Sequence, residues 1–292
     1  MLSSCSVNGP IAQQRSQSAL ALARANHLPR ALFRSTIVLA LSTALSARAA
    51  EPTVVGIEAV GTALQAKLSD GSVKEAAEFA GAVLVFKIGD ELTRIRIASI
   101  RPDPADNSGS VLLYDFRIEA TDEPFCSPAP DGTRLGFPLA GVTGPDGRLV
   151  VSEPSVFQLV CTSGVQGKCV RFGYHPWQTA PNGRPMRDYF NACVRLLRAD
   201  YCGDGRAWTR DGTLVDIWDD FGIQTLDGGG DPTFSFEAGW TPDGAVCVAH
   251  SRIPENIMLE RLKAYCPQLK AISLCDENSA RGAGALVFNR SR

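Results

Sequence analysis

The stretch from Cys193 to Asp220, CVRLLRADYCGDGRAWTRDGTLVDIWDD, carries the densest set of structural signals in the chain. It contains two cysteines, two Asp-Gly pairs, six aspartates and the end of a segment with helical periodicity. Asp-Gly pairs favour turns because both residues tolerate the backbone angles that tight turns require. The stretch therefore predicts a structural junction. A helix stops at Gly203, the two cysteines face different partners, and AWTR and TLVDIW form a hairpin around Asp211-Gly212.

Helical periodicity precedes this junction. From Arg184 to Tyr201, apolar side chains recur on one helix face while charged side chains occupy the other. Pro185 suits the first turn of a helix, and Gly203 suits the position after the last turn. A second helix is predicted for Pro254 to Cys266, PENIMLERLKAYC. A further hairpin is predicted where FSFEAGW and AVCVAHS flank residues 241–244.

The part of the chain before residue 160 has a β pattern. Short segments rich in β-branched residues, several with alternating apolar and polar positions, predict strands at TVVGIEAV, TALQAKL, AVLVFKI, LTRIRIASI, VLLYDFRIEA and SVFQLVCT. KEAAEF, residues 74–79, predicts one helical turn, and the Pro- and Gly-rich residues 123–138 predict a long loop. A series of short strands of this kind is typical of a small barrel or sandwich.

The expected fold class is α+β. Residues 50–160 are predicted to form a β-rich barrel or sandwich, followed at 161–275 by a disulfide-stabilised region with two helices and hairpins. The Gly-, Ala- and Arg-rich tail, residues 276–292, is predicted to be loose or a single edge strand. The boundary near residue 160 separates either two domains or two halves of one core.

Residues 1–49 are predicted to be a secretory signal peptide. The first fifty residues contain five arginines and no acid, since the first acidic residue is Glu51. STIVLALSTALS, residues 35–46, is too short to span a bilayer as a stable helix, and Ala47 and Ala49 supply the small residues of a cleavage site. A mitochondrial presequence is the alternative. The cysteines farther along favour export, to the periplasm or the cell exterior, because disulfides persist in oxidising compartments.

The charge balance argues against nucleic acid as a partner. Removing residues 1–49 takes five arginines from the 29 basic residues, which leaves 24 against 31 acidic residues. Nucleic-acid binding depends on clustered Lys and Arg that neutralise phosphates, and the sequence has no such run. No segment after the signal is long and apolar enough to cross a membrane. We expect an unidentified protein or cell-surface partner instead.

The cysteines predict a disulfide framework. Of nine cysteines, Cys5 lies in the predicted signal peptide, which leaves an even number for pairing. A zinc site is disfavoured because the chain has no C-x2-C spacing and only three histidines. The eight cysteines expected to form up to four bridges are Cys126, Cys161, Cys169, Cys193, Cys202, Cys247, Cys266 and Cys275.

Two local bridges are predicted from short loops. Cys161 and Cys169 flank TSGVQGK, whose glycines allow a short loop to close, and Cys266 and Cys275 flank PQLKAISL, where Pro267 stops a helix.

Cys193 and Cys202 are the remaining close pair. If one helix ran through both, a rise of about 1.5 Å per residue would place their Cα atoms about 13 Å apart. A disulfide tolerates less than about 7 Å. Either the helix ends near Leu197, or these two cysteines reach Cys126 and Cys247; we favour the second alternative.

Several motifs together resemble the ADYC domain family. They are CTSGVQGKCVRFGYHPW, ACVRLLRADYCGDG, TRDGTLVDIWDDFGIQ and FEAGWTPDGAVCVAHSR, and the resemblance extends from about Cys126 to Cys275. The family is named for an Ala-Asp-Tyr-Cys run, which is Ala199–Cys202 in this sequence. Its members are mostly secreted or envelope proteins of bacteria, some of them lipoproteins, with no assigned activity. The resemblance therefore implies export and a disulfide-stabilised domain, and it transfers no catalytic residue.

The aspartates of the junction are candidate calcium ligands. Calcium binds carboxylate and carbonyl oxygens, and Asp204, Asp216 and Asp219 are the candidates for such a site. Their spacing is not that of an EF-hand, and Asp before Gly is equally typical of turns. Asp200 lies near a helix end, where pairing with an arginine or capping of backbone N–H groups is the expected role.

No complete catalytic set is visible in the sequence. The two histidines after the signal, His175 and His250, have no G-x-S-x-G nucleophile motif to act on. Paired acids such as Asp219 and Glu237 would suit glycoside cleavage, but such pairs are common in acidic chains. The sequence favours an exported, non-catalytic protein of the cell envelope or exterior that binds a partner. The alternative is an extracellular hydrolase that uses carboxylates, with or without calcium.

Overall fold

The fold was analysed in a computed structural model, which describes residues 5–7, 51–88, 91–106, 108–151, 153–226 and 230–292. The predicted signal peptide lies outside the described residues except for one short strand, β1 (Cys5–Val7). None of the helices in these described ranges is long and apolar enough to cross a membrane.

The part before residue 162 is built from antiparallel strands, as the alternating pattern predicts. A three-stranded sheet contains β2 (Val54–Val60), β3 (Ala63–Leu68) and β4 (Val73–Lys74). A five-stranded sheet, in the order β11-β8-β7-β6-β5, contains β5 (Val83–Ile88), β6 (Glu91–Pro102), β7 (Leu112–Ile118), β8 (Gly136–Ala140) and β11 (Phe157–Cys161). Between β8 and β11 in the sequence, β9 (Val142–Thr143) and β10 (Leu149–Val150) form a short two-stranded sheet. The six predicted strands and the predicted helical turn, a 3-10 helix at Ala76–Phe79, are confirmed.

The described residues after 162 contain four helices and four strands of a second five-stranded sheet, whose fifth strand is β1. The helices are α1 (Val165–Arg171), α2 (Met186–Arg198), α3 (Leu259–Tyr265) and α4 (Glu277–Gly282), with a 3-10 helix at Pro267–Lys270. The remaining strands are β12 (Thr213–Asp219), β13 (Ser235–Thr241), β14 (Gly244–Val248) and β15 (Val287–Ser291). The sheet order is β1-β12-β15-β13-β14, and its paired strands are antiparallel. The α+β class is therefore confirmed.

The predicted hairpin at Asp211-Gly212 is wrong. Residues 207–210 do not form a strand, although Gly212 turns the chain with φ +82°. The carbonyls of Trp208 and Thr209 accept hydrogen bonds from the Asn256 side chain instead of from a neighbouring strand. The strand after the turn, β12, pairs with β15. The second predicted hairpin, β13 with β14, is confirmed.

The tail is neither loose nor an edge strand. Asp276 caps α4 by accepting a hydrogen bond from the Ser279 backbone N–H, and the Ser279 hydroxyl accepts one from the Asp276 N–H. The following strand, β15, lies in the middle of the second sheet, and its residues Val287 and Phe288 are fully buried. The tail is ordered because its apolar run fills the space between two strands that are distant in sequence.

The predicted bridged loop after Cys161 is a helix, α1. A Cβ atom at Gly167 would lie 2.2 Å from the Cys161 carbonyl oxygen, so this glycine permits close packing of the helix against the end of β11. The glycines of this segment therefore serve a helix contact rather than a flexible loop.

Helix α2 lies at the centre of the hydrophobic core. Residues 191–197 are all buried, and Phe190, Leu196 and Leu197 are fully buried. The same core cluster contains Leu64 and Val287, which lie on opposite sides of residue 160. The division of the chain at residue 160 into two domains stays a prediction.

All eight cysteines after the predicted signal form disulfides, as predicted. The four bridges have Cα–Cα distances of 5.4–5.9 Å, within the range that a disulfide allows. The pairs are Cys126–Cys161, Cys169–Cys193, Cys202–Cys266 and Cys247–Cys275.

The predicted connectivity is wrong. Neither Cys161–Cys169 nor Cys266–Cys275 forms. Cys169 lies on α1, and a 3-10 helix, Pro267–Lys270, follows Cys266 directly. Cys169 on α1 faces Cys193 on the neighbouring α2. Cys193 and Cys202 are not paired with each other, although α2 ends at Arg198, between them. The favoured alternative is also wrong, because neither of them reaches Cys126 or Cys247.

Candidate functional site

The Ala-Asp-Tyr-Cys run begins where α2 ends. Helix α2 stops at Arg198, and Ala199 adopts a left-handed conformation with φ 49° and ψ 41°. A residue in this conformation reverses the chain direction and lets its N–H bond back into the last helical turn. Here the Ala199 N–H donates to the Leu196 carbonyl at 3.0 Å. The helix therefore ends four residues before Gly203, at a fully buried alanine, and not at the glycine that the sequence predicts.

Asp200 is a buried hub for the loop that follows. Its carboxylate is fully buried and accepts hydrogen bonds from Arg195 Nη1 at 2.5 Å and from the N–H groups of Gly203 at 3.1 Å and Gly205 at 2.9 Å. Burial raises the pKa of Asp200, and the Arg195 charge opposes that shift. Asp200 therefore fixes residues 203–205 against the end of α2, which is the pairing and capping role expected from the sequence.

Tyr201 joins the helix end to the second sheet. Its hydroxyl donates to Glu237 Oε1 at 2.9 Å and accepts from the Arg252 N–H at 2.9 Å. Glu237 and Arg252 form a buried pair, with Arg252 Nε 2.9 Å from Glu237 Oε2. Burial alone would raise the pKa of Glu237, but the Arg252 charge and the hydrogen bonds from Arg252 and Asn289 lower it overall.

Cys202 completes the run by a covalent bond to Cys266, immediately after α3. The next residue, Gly203, has φ +73°, and a Cβ atom there would lie 1.9 Å from the Asp243 carbonyl oxygen in the β13–β14 turn. Ala199 thus ends α2, and Asp200, Tyr201 and Cys202 tie that end to the following loop, to the second sheet and to the end of α3. The run is a structural junction, as its sequence predicts.

The three calcium candidates have separate protein partners. Asp204 is exposed and accepts from the Tyr265 hydroxyl at 2.9 Å, while Asp216 accepts from the Asp231 N–H at 2.9 Å. Asp219 accepts from Tyr174 and from three backbone N–H groups of residues 221–224. The described ranges contain no group of three or more His, Cys, Asp or Glu placed to hold a metal ion. The calcium site stays a prediction with no assembled ligand set in the described residues.

The other candidate catalytic groups are also committed to the fold. Glu237 is enclosed by Arg252 and Tyr201, and Asp219 caps its own turn. His175 is buried and stacks on Trp177 with ring centroids 5.0 Å apart, and burial lowers its pKa. His250 Nε2 lies 3.2 Å from the Ser235 hydroxyl, and within the described ranges no carboxylate forms an ion pair with it.

A cavity of about 590 Å³ lies beside the junction. It opens where β5, β6 and β11 of the first sheet meet the start of α1, the C-terminal half of α2 and the turn between β9 and β10. Its apolar wall contains Phe86, Ile95, Phe125, Leu159, Val165 and Val194. The volume is within the range of small-molecule sites, and polar and apolar surface contribute about equally to the wall.

The polar wall of the cavity contains a closed ring of three side chains. Thr143 Oγ1 donates to Gln158 Oε1 at 3.0 Å, Gln158 Nε2 donates to Gln166 Oε1 at 3.1 Å, and Gln166 Nε2 donates to Thr143 Oγ1 at 2.7 Å. Each member holds the next, so the ring is preorganised. Each amide nitrogen keeps a second N–H, and each amide oxygen keeps a second lone pair.

Arg198 is the one charged side chain among the described residues that line the cavity. It is the last residue of α2, and its Nη2 donates to the Gly205 carbonyl within the junction. Its Nε is buried without an acceptor. Burial lowers the pKa of Arg198, with Asp200 opposing and Arg195 adding to the shift. The junction therefore places a partly buried cation at the cavity wall.

The sequence did not reveal this cavity. Its walls come from segments that are far apart in the sequence, from Phe86 to Gly205. One signal was present: Arg198 immediately precedes the Ala-Asp-Tyr-Cys run, at the junction that decides the fold.

The comparisons with known proteins agree with this architecture. The model of the ADYC domain matches residues 76–254, a range that begins before Cys126 and ends before Cys275. No curated protein and no solved structure matches the chain. The matched range includes most of the first large sheet, helix α2, the buried Ala199–Cys202 run and its partner Glu237, and it covers more than half of the 292 residues. The chain belongs to the ADYC domain family.

Proposed function

We propose that this chain is an exported, non-catalytic binding protein that holds a small ligand in the cavity beside the junction. The observation that carries the proposal is the chemistry of the cavity wall. Its described lining residues supply apolar surface, hydroxyls, amides and one guanidinium, with no carboxylate, imidazole or free thiol. General acid–base and nucleophilic catalysis at neutral pH depend on groups of those missing kinds. A wall of this composition supports binding.

The four disulfides support export. Eight cysteines paired in four bridges are expected in a periplasmic or extracellular chain, because cytosolic thiols are kept reduced. The acid-free, arginine-bearing residues 1–49 supply the matching signal. Cleavage after Ala49 would also remove β1 and leave β12 as the edge of its sheet.

The hydrolase alternative receives less support. Its best carboxylates, Asp219 and Glu237, are buried and hydrogen-bonded on all sides, and neither lines the cavity. A general acid or base needs access to the substrate as well as a suitable pKa. A cell-surface or protein partner, in addition to the small ligand, stays a prediction.

The proposal is tested by binding to the full oxidised chain. A panel of soluble fragments containing anionic, neutral and cationic members is screened by ligand-observed NMR. The wild type is compared with Ser163→Trp, in which a large ring occupies the cavity mouth at a partly exposed position. We expect hits with the wild type that lose their signal with Ser163→Trp. Absence of hits, or hits that Ser163→Trp leaves unchanged, would contradict a ligand site in this cavity.

Export is tested separately. The chain is expressed in a bacterial host with an intact secretion system, and the mass of the purified product is measured. We expect a periplasmic or secreted product that begins after Ala49 and has no free thiol. Retention of residues 1–49 on a cytoplasmic product would contradict export.

A further inference from the structure

Arg198 forms no ion pair among the described residues, although the nearby Asp200 charge favours its charged form. Its guanidinium has one recorded hydrogen bond, to the uncharged Gly205 carbonyl. Among the described residues, no carboxylate oxygen lies within 4.0 Å of the Arg198 guanidinium nitrogens. The nearest charged neighbour along the chain, Asp200, is bonded to Arg195 and two backbone N–H groups. A guanidinium has five N–H donors, so several of the Arg198 donors lack a partner.

Leaving this cation unpaired costs free energy. A partly buried charge loses part of its hydration, and a buried ion is normally compensated by an opposite charge. The neighbouring Arg206 is different: it is exposed, and its guanidinium stacks 4.2 Å from the Trp208 ring, outside the cavity. An anion that enters the cavity would supply the missing counter-charge at Arg198, with the bidentate geometry that guanidinium groups favour for carboxylates.

The rest of the wall restricts what that anion is attached to. The apolar side chains Phe86, Ile95 and Phe125 would cover a hydrocarbon or aromatic body. The spare amide groups of Gln158 and Gln166 would bind a neutral polar group such as an amide. A strongly hydrated multivalent anion fits this wall poorly, because Arg198 is the one cation among the described lining residues and the apolar half of the wall cannot replace the anion's water.

We infer that the cavity binds an amphipathic monocarboxylate, with its carboxylate on Arg198, an amide-type group on the Gln158–Gln166 ring and its apolar body against the first sheet. This inference rests on the proposed function, and it adds the ligand class and the residue that selects it. Arg198 has two roles here: its Nη2 bond holds the junction loop, and the other N–H groups of Nη1 and Nη2 receive the ligand, since Nε has no solvent access.

A matched pair of probes tests the inference. N-acetyl-L-phenylalanine has a carboxylate, an amide and an aromatic body, and N-acetyl-L-phenylalaninamide replaces only the carboxylate by a neutral group. Binding of each is measured by isothermal titration calorimetry with the full oxidised chain at neutral pH and low salt. We expect the wild type to bind the acid at least about tenfold more tightly than the amide, because the charge-assisted pair with Arg198 forms only with the acid.

Three variants locate the effect. Arg198→Met removes the charge and keeps the length of the side chain, and we expect it to bind acid and amide equally. Gln166→Glu keeps Arg198 but adds a negative charge to the cavity wall. We expect this variant to bind the acid at least about tenfold more weakly than the wild type does, and to bind the amide with a much smaller loss of affinity. Arg206→Met is the control outside the cavity, and we expect wild-type selectivity.

The outcomes are distinguishable. Equal wild-type affinity for the two probes, no binding of the acid at millimolar concentration, or unchanged selectivity in Arg198→Met each overturns the inference. If Arg198→Met fails to fold, Gln166→Glu decides, since retained acid selectivity there also overturns it. Fragment hits that are all neutral or cationic and are lost with Ser163→Trp would refute the monocarboxylate and leave the proposed function standing. Absence of any cavity hit would refute both.

Discussion

Replacing Tyr201 by phenylalanine removes one hydroxyl from the centre of the junction and leaves the ring in place. In the wild type, that hydroxyl donates to Glu237 and accepts from the Arg252 N–H, both at 2.9 Å, and Tyr201 is fully buried. The substitution removes a hydrogen bond to a charged group and leaves the Arg252 N–H without its side-chain acceptor. Water cannot replace the hydroxyl at a site with no solvent access.

The magnitude follows from these two losses. A hydrogen bond to a charged group contributes about 1.5–3 kcal/mol, and an unsatisfied buried N–H costs about 1–3 kcal/mol. The two losses overlap, because Glu237 keeps its bonds from Arg252 and Asn289. We therefore expect Tyr201→Phe to lower the free energy of unfolding by about 3 kcal/mol.

Tyr265→Phe is the matched control. Its hydroxyl also bonds to a carboxylate, that of Asp204, at 2.9 Å, but the side chain is 49% exposed. Water replaces the hydroxyl there, so we expect a loss below about 1 kcal/mol.

The assay is urea unfolding of both variants with the disulfides intact, followed by near-UV and far-UV circular dichroism. Equal m-values would show that the two variants unfold the same surface as the wild type. If Tyr201→Phe costs no more than Tyr265→Phe, the Ala199–Cys202 run does not hold the fold in the way described here.

Three further predictions use other contacts of the junction. Peptide mapping of the unreduced protein is expected to recover Cys126–Cys161, Cys169–Cys193, Cys202–Cys266 and Cys247–Cys275, and any other pairing would contradict the structure. Because the pKa of Glu237 is lowered in the folded state, its contribution to stability is present above its ordinary pKa of 4.5 and is lost as pH falls below it. Between pH 7 and 3, the urea midpoint should therefore fall less steeply for Glu237→Gln, which is already destabilised at pH 7, than for the wild type. Parallel plots of midpoint against pH for the two proteins would refute this. Gly203→Ala should lower the free energy of unfolding by more than about 3 kcal/mol, because the added Cβ would meet the Asp243 carbonyl oxygen. Gly183 also has a positive φ but lies in open space, so Gly183→Ala should lower it by about 1 kcal/mol. Thermal unfolding measures both losses, and equal losses would show that the Gly203 contact is not tight.

Local patterns in the sequence were sufficient for the strands of the first half. In β3, the alternation of buried Leu64, Ala66 and Leu68 with more exposed neighbours is the two-residue period that the sequence displays. The period of α2 was equally clear. The end of α2 was not clear, because the sequence does not mark an alanine that adopts the left-handed conformation. Gly203 was the more typical residue for the end of a helix.

Contacts between distant segments explain the errors. Strand β15 lies between β12 and β13, so its central position depends on strands far away in the sequence. The disulfides also join distant segments. Cys202 pairs with Cys266, 64 residues away in the sequence, and no short loop between cysteines predicts that pair. Short-range reasoning favoured closing nearby cysteines, and helix α1 placed Cys169 beside Cys193 instead.

The candidate site was less predictable than the fold. The sequence predicted Asp204, Asp216 and Asp219 as metal ligands, yet Asp216 and Asp219 accept hydrogen bonds from backbone N–H groups. The cavity gathers side chains whose chemistry is ordinary one by one, such as Gln158 and Gln166. Arg198 became a candidate only when the structure showed its missing counter-charge, which no periodicity or spacing reports.

The central claim is that the Ala199–Cys202 run is a structural junction held from inside. Native-state hydrogen exchange of its backbone amides tests this most directly. The N–H groups of Gly203 and Gly205 bond to Asp200, and that of Arg252 bonds to the Tyr201 hydroxyl, whereas the N–H of Arg206 bonds only to exposed Asp204. We predict that the first three exchange only through openings close in free energy to global unfolding, and that Arg206 exchanges far faster. Exchange of all four at similar, fast rates would contradict the account.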